Sequence, residues 1–463
     1  MTKNIQNYKL SIIYILLNVL IAQEIPNEFF VFKKNKILID SGSSWLSNTS
    51  LGQLRFQNLI LDQNSINSYF KARYGLISKN QNLSYYGFGM IHFNENIYCY
   101  SNSRIVTDPN EFQRFTGIPR KKNRFGFNSG ETDLAGIGYQ NEVILLQLGR
   151  GRESWGSGNN IQIALSEDSP SYDYILFGAN WGKVKFRSIN GFLESDSLGF
   201  NRYISGRGFE YNNKNNFLIS FSEIVIYSGI NRPFDLAYLN PVGSHLEIEL
   251  NNRQNLYGTS SGNAIWQLSL DWLTNFKLRF SSNILFDEII LDKIEKNSGK
   301  ESMYALSNRL CYNLISNGKH VLNLAFTNIF IGAQTFRHES GYNNFVQRGL
   351  PLGWNYGSNG RESKLELDYF IYDKFLLNVD FGIIRLGNNS IINNQYEPYV
   401  NYNSDNINYS KKFFLKSQVQ WWIKENLSIY IKNELINSSS ENIEFQSIVG
   451  IDIYHSFFIE NNN

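Results

Sequence analysis

Two cysteines in 463 residues, Cys99 and Cys311, cannot build a disulfide framework, and no metal-type spacing accompanies them. They lie far apart within expected strands, where geometry rarely brings two thiols into bonding range, so both are expected as free thiols. Charge is equally sparse. Charged residues are 18% of the chain and the formal net charge is +2, which gives no case for nucleic acid and no strong field toward ions of either sign. Beyond the N-terminus no apolar run of about 20 residues exists, which excludes a bundle of membrane-spanning helices. There is no Walker-type phosphate loop, zinc spacing or His-Glu pair of metalloprotease form, so neither a cofactor nor a catalytic centre is expected.

The N-terminus supplies an export signal instead. Lys3 and Lys9 precede the apolar stretch 10–21, and Ala22-Gln23 offers a cleavage point. Export without a second apolar helix leaves strands to do any membrane crossing.

Such strands are abundant, and aromatic residues reach 15%. Ala264, Trp266, Leu268, Leu270 and Trp272 alternate with Ile265, Gln267, Ser269 and Asp271. After a short turn, Leu278, Phe280, Ile284 and Phe286 alternate with Lys277, Arg279, Ser281 and Asn283. A period of two puts one set on each face of a sheet. One face suits hydrocarbon and the other suits water. The pattern returns over 364–383 and 413–434, each strand about the 9–11 residues needed to cross a bilayer at a tilt.

Short turns at 212–216, 274–275, 316–319, 372–374 and 424–426 alternate with long polar segments at 287–302, 332–363 and 386–411. That asymmetry is expected of a transmembrane barrel, with turns on the periplasmic side and loops outside, and less so of a soluble sandwich or propeller. Upstream, strands are expected at 84–93, 97–107, 132–139, 143–148, 161–166, 172–179, 184–193, 203–211 and 217–227, with nine more from Ala264 on. In that upstream half the turns at 94–96 and 140–142 fall at the wrong end, unless one strand has been miscounted. The fold class is therefore all-β, a transmembrane antiparallel barrel of about 18 strands. Its parts are a signal peptide at 1–22, a small periplasmic or plug segment at 23–67, and the barrel at 68–459.

Five blocks resemble the capsule-assembly Wzi family of outer-membrane proteins. They are the run Gly149-Arg150-Gly151-Arg152-Glu153-Ser154-Trp155-Gly156-Ser157-Gly158 with Leu165-Ser166, the run 203–210, the run 221–229, Tyr238-Leu239-Asn240-Pro241, and Arg348-Gly349-Leu350-Pro351-Leu352-Gly353. Ser157 stands where that family has Pro, and the N-terminal segment departs from the family's small helical bundle. The resemblance implies an outer-membrane lectin that holds capsular polysaccharide at the cell surface. The alternative on the strand pattern alone is a passive porin or sugar channel. Capsular polysaccharide and outer-membrane lipid are the expected partners, and a monomer the expected state.

Glycan recognition needs aromatic faces against sugar C–H surfaces, and forked guanidiniums against uronate carboxylates. Three sets offer these groups: Arg150, Arg152, Glu153 and Trp155; Arg232 and Asn240 beside Tyr238; and Trp354, Tyr356 and Arg361 in a long connection. Each has a plain structural reading beside the functional one, as does the basic cluster of Arg114 and 120–124. Ser358-Asn359-Gly360-Arg361 resembles part of an outer-membrane phospholipase motif. That motif needs a His two residues before the Ser, and Tyr356 stands there instead.

Overall fold

In the computed structural model the described residues are 29–53, 68–93, 96–112, 114–121, 125–195, 198–254, 262–288, 303–372, 374–398, 409–438 and 443–459. The expected signal peptide lies outside them. A helix, α1 (Phe29–Asp40), comes first. The strands that follow are β1 (Ser68–Lys79), β2 (Asn82–His92), β3 (Ile97–Val106), β4 (Ser129–Gln140) and β5 (Ile144–Gly151). Next are β6 (Tyr172–Trp181), β7 (Val184–Ser195), β8 (Phe200–Asn212) and β9 (Phe217–Ile230). Two short helices, α2 (Leu236–Leu239) and α3 (His245–Leu250), interrupt before β10 (Asn263–Leu273), β11 (Leu278–Glu288), β12 (Met303–Ser316) and β13 (His320–Ile331). A two-stranded ribbon, β14 (Val346–Gln347) and β15 (Leu350–Pro351), stands apart from the wall. The last strands are β16 (Gly360–Ile371), β17 (Phe375–Gly387), β18 (Tyr409–Lys424), β19 (Leu427–Ser438) and β20 (Glu444–Ile459).

Eighteen strands form one antiparallel sheet. β20 pairs back onto β1, with Phe70 opposite Phe457 and Lys79 opposite Ile448, so the sheet closes and no edge is left. The alternation read from sequence holds in the wall. On β10, Ile265, Gln267, Ser269 and Asp271 turn inward and are buried, while Leu268 and Trp272 face out. Exposed Tyr211, Trp272, Phe276, Tyr312 and Trp421 cluster at the short-turn end, as in the aromatic girdles of membrane barrels. Among the described residues no helix is long and apolar enough to cross a membrane. This is a transmembrane β-barrel of the outer-membrane type.

Turns at 93–96, 141–143, 182–183, 213–216, 274–277, 317–319, 372–374 and 425–426 share one end. The long connections 107–128, 152–171, 231–262, 332–359 and 388–408 share the other. The parity conflict therefore disappears, and its cause is one segment. Residues 161–166 form no strand; only an isolated bridge joins Leu165 to Trp155. Their apolar spacing serves burial inside the barrel, where Ile161, Ile163, Ala164 and Leu165 are almost wholly enclosed. β1, not singled out by sequence, restores the count.

A second expectation needs correction. The inward face is not simply wet. Inward residues Tyr98, Tyr100, Leu145, Leu176, Ile189, Ile204, Ile224, Ile265 and Leu285 join Leu51, Trp155, Ile163, Phe345 and Leu352 in one core cluster. The lumen toward the long-loop end is packed like the interior of a soluble domain. Lower down it is polar, and α1 sits there among buried ions. Asp40 accepts from Asn159 at 2.7 Å and pairs with Arg309 at 2.9 Å and with Arg279. Asn323 donates to the Ile37 carbonyl at 3.0 Å. The described part of the N-terminal segment is thus a plug within the barrel. Both cysteines are free.

Candidate rim groove at the long-loop end

The in-folded loop 152–171 is held by backbone geometry. Gly156 (φ 132°) and Gly158 (φ 80°) take up left-handed backbone, where a Cβ is disfavoured. Gly156 donates to the Ser50 carbonyl at 2.7 Å, and Gln53 Nε2 donates to the Gly158 carbonyl at 2.9 Å, stitching the N-terminal plug to the loop. Ser157 donates its N–H to Asn283 Oδ1 at 2.7 Å. A proline there has no N–H, so the wall residue Asn283 and this Ser match each other.

Within that packing the first candidate set divides. Trp155 is fully buried and its Nε1 donates to buried Glu153 at 3.1 Å. Both are core residues of the filled lumen. Arg152 is largely covered and ion-paired with Asp133. Only Arg150 turns outward, where its Nη1 bonds Asp173 of β6 at 3.1 Å and its Nε bonds the Thr132 carbonyl at 2.9 Å.

Arg150 borders an open groove of about 380 Å³ at the long-loop rim, lined also by Tyr172, Asp173, Phe192, Leu193, Glu194, Ser195, Gln347 and Arg348. Register explains the grouping. Arg150 lies opposite Asp173, and Asp173 opposite Phe192, so one outward row crosses β5, β6 and β7. The tip of the β14–β15 ribbon leans over that row. Arg348 (φ 49°) and Gly349 (φ 76°) both have positive φ, the signature of a two-residue primed turn. This left-handed turn holds the exposed Arg348 at the groove's edge, with Nη1 on the Thr116 carbonyl at 2.9 Å.

Glu194 and Arg202 fix the ribbon in place. Arg202 is fully buried and donates to the carbonyls of Tyr342 (2.6 Å), Asn344 (2.7 Å) and Val346 (3.0 Å). Its Nη1 also pairs with Glu194 Oε1 at 2.7 Å. Glu194 further accepts the Arg348 N–H and the Tyr396 hydroxyl. Burial first, and the adjacent Glu194 carboxylate second, push the Tyr396 hydroxyl well above its ordinary range, so it stays a donor. Neither Arg202 nor Glu194 stood out in the sequence. The one local signal was a cation immediately before the block at 203–210.

The other candidates lie elsewhere. Arg232 is fully buried, stacked on Tyr227 with 4.7 Å to the ring centroid, and Asn240 uses its carbonyl to accept from Arg207 at 3.1 Å. Trp354 is buried in the lumen, donating to Glu362 at 2.7 Å, with Tyr356 edge-on at 5.2 Å. Arg361 faces outward over Phe330 at 4.8 Å. Ser358 is buried and its Oγ accepts the Ile391 N–H at 3.0 Å. Of the basic cluster, Arg114 pairs with Asp168, and Arg120 and Lys121 are exposed. Among the described residues no group of three or more acidic, His or Cys side chains is placed to hold a metal ion.

No family model matches the sequence, and no curated protein matches it. Among solved structures the chain is similar to Wzi of Escherichia coli, an outer membrane protein involved in group 1 capsule assembly and a carbohydrate-binding β-barrel. Identity is 13%, the match covers 91% of this chain and 92% of that one, and the TM-score is 0.59. It also matches the Pseudomonas aeruginosa proteins OccK3 (9% identity, 84% and 96% covered, TM-score 0.44) and OpdK (8% identity, 86% and 100% covered, TM-score 0.46). At these identities the likeness to Wzi is one of fold: the same kind of outer-membrane barrel.

Proposed function

We propose that this barrel is a surface lectin that binds and retains an acidic capsular polysaccharide through its rim groove. The observation that carries the reading is the joint placement of Arg150, Arg348 and the half-exposed ring of Phe192 around an open groove above a filled lumen. The two guanidiniums suit uronate carboxylates, Asp173 suits sugar hydroxyls, and the ring suits a pyranose face. Long loops mark the end that faces outward in barrels of this kind. The carbohydrate binding of Wzi, a barrel of the same fold, adds to this reading. A filled lumen also supports retention over conduction.

The test is binding of the purified protein to a glycan array, followed by titration of the best ligand against the Arg150→Ala/Arg348→Ala double variant. Each charge-assisted hydrogen bond contributes about 1.5–3 kcal/mol, so a loss of about tenfold or more in affinity is expected. In cells the variant is expected to shed capsule into the medium. Large, stable channels in planar bilayers together with no glycan binding would establish the porin alternative instead.

A further inference from the structure

The connection 231–254 does not project from the rim. It folds down over the outside of the wall, where Tyr238 and Ile248 pack on the outward faces of Tyr203, Val225, Tyr227 and Ala264. Beneath it lies a feature foreign to a lipid-facing surface. Arg207 of β8 and Glu223 of β9 sit opposite each other in register, and both point outward. Their direction is fixed by their neighbours: a Cβ on Gly206 would meet Trp155 at 3.2 Å, and one on Gly208 would meet Leu51 at 2.9 Å, both inside the lumen.

The pair also adjoins the apolar belt: the next outward residues toward the short-turn end are Phe209 on β8 and Phe221 on β9, both half exposed. A charge on the lipid face is unfavourable, up to about 2–4 kcal/mol for an arginine at the midplane, so an open pair beside the belt carries a cost. The connection closes it over. Glu223 is 3.1 Å from Arg207 Nε and accepts Trp266 Nε1 at 3.0 Å and the His245 N–H at 3.1 Å. Arg207 Nη1 donates to the Asn240 carbonyl at 3.1 Å, and Ser205 Oγ to the Tyr238 carbonyl at 3.0 Å.

Having covered that pair, the segment turns apolar side chains outward, beside its own surface ion pair of Glu247 with Arg253. Leu236, Val242 and Leu250 are 75–79% exposed, and Leu246 is 50% exposed. This surface continues the belt formed on the wall just below by exposed Phe209, Phe221 and Leu268. We infer that residues 231–254 form a collar immersed in the outer leaflet, seated on lipid acyl chains through Leu236, Val242, Leu246 and Leu250. The collar replaces the charged stretch of wall as the lipid-facing surface, so the apolar belt continues across β8, β9 and β10. Continuity with that belt selects acyl chains as the occupant.

The experiment places a nitroxide at Leu246→Cys in the full chain carrying Cys99→Ser and Cys311→Ala, reconstituted in phosphatidylcholine vesicles. Leu268→Cys serves as the wall reference and Lys121→Cys as the water reference. Folding of each variant is checked by strand content in circular dichroism. The Leu246 label is expected to match Leu268 in collisions with oxygen, and to show at least fivefold less collision with a water-soluble nickel chelate than Lys121. Labels at Leu236→Cys and Val242→Cys should behave alike. Nickel accessibility equal to that of Lys121 would overturn the collar. So would dipolar broadening that vanishes when labelled protein is diluted with unlabelled, because two copies would then be meeting on this face.

Discussion

Arg202 Nη1 lies 2.7 Å from Glu194 Oε1, and this buried pair ties the barrel wall to two outer loops. The guanidinium gathers three carbonyls of the 332–359 loop, while the carboxylate takes the Arg348 N–H and the Tyr396 hydroxyl. Four of the five N–H donors of Arg202 are thereby spent on positioning. The groove exists in its present shape because this pair does.

Breaking the pair strands a buried charge. Arg202→Met leaves three carbonyls and Glu194 without their donor, at a cost of about 3–5 kcal/mol. The expected result is release of the β14–β15 ribbon. Limited proteolysis should cut within 332–359 far faster than in the parent, and glycan affinity should fall although neither Arg150 nor Arg348 has been changed. The barrel itself should persist in detergent, with unchanged strand content.

Ser157 allows a second measurement. Ser157→Pro removes the N–H that Asn283 Oδ1 accepts at 2.7 Å in the buried lumen. An unsatisfied buried acceptor costs about 1–3 kcal/mol. Thermal unfolding in detergent should occur at lower temperature. Asn283→Ala should cost less in that variant than in the parent, because one of the bonds it removes, that to the Ser157 N–H, is already gone. An unchanged midpoint in the single variant would show that this bond does not hold the loop.

Asp168 predicts a pH dependence. Burial alone would raise its carboxyl, but Arg114, Lys36 and Lys416, with the Asn355 amide at 2.6 Å, outweigh it and hold the group below the usual carboxylate range. A lowered folded value means the unfolded chain binds the proton more readily. The contribution is therefore full above the unfolded value of about 3.9 and fades as pH falls through the folded one. Because Asp168 joins the loops 107–128, 152–171 and 332–359, acidification below about pH 4 should loosen them. Asp168→Asn should flatten the acid limb of the unfolding midpoint measured from pH 6 to pH 3.

Much of the wall could be read directly from the chain. Alternation over 264–286, 364–383 and 413–434 set which face meets lipid, because a period of two has one geometric meaning in a closed sheet. Residues 161–166 misled for the same reason in reverse. An apolar spacing reports burial without saying against what, and a dry lumen core imitates a membrane strand. Trp155 and Trp354 misled likewise: a tryptophan suits a sugar face or a core equally well until its surroundings are known.

The sequence by itself therefore determined the barrel, its long-loop end and its oily belt, all of which follow from local periodicity and turn length. Tertiary structure decided the rest. It put Arg150, Phe192, Glu194 and Arg348 at one rim, and it sent Trp155 inward and Arg207 outward under a covering segment. These placements depend on register across strands far apart in the chain and on loops folding into or over the wall, which neighbouring residues do not encode.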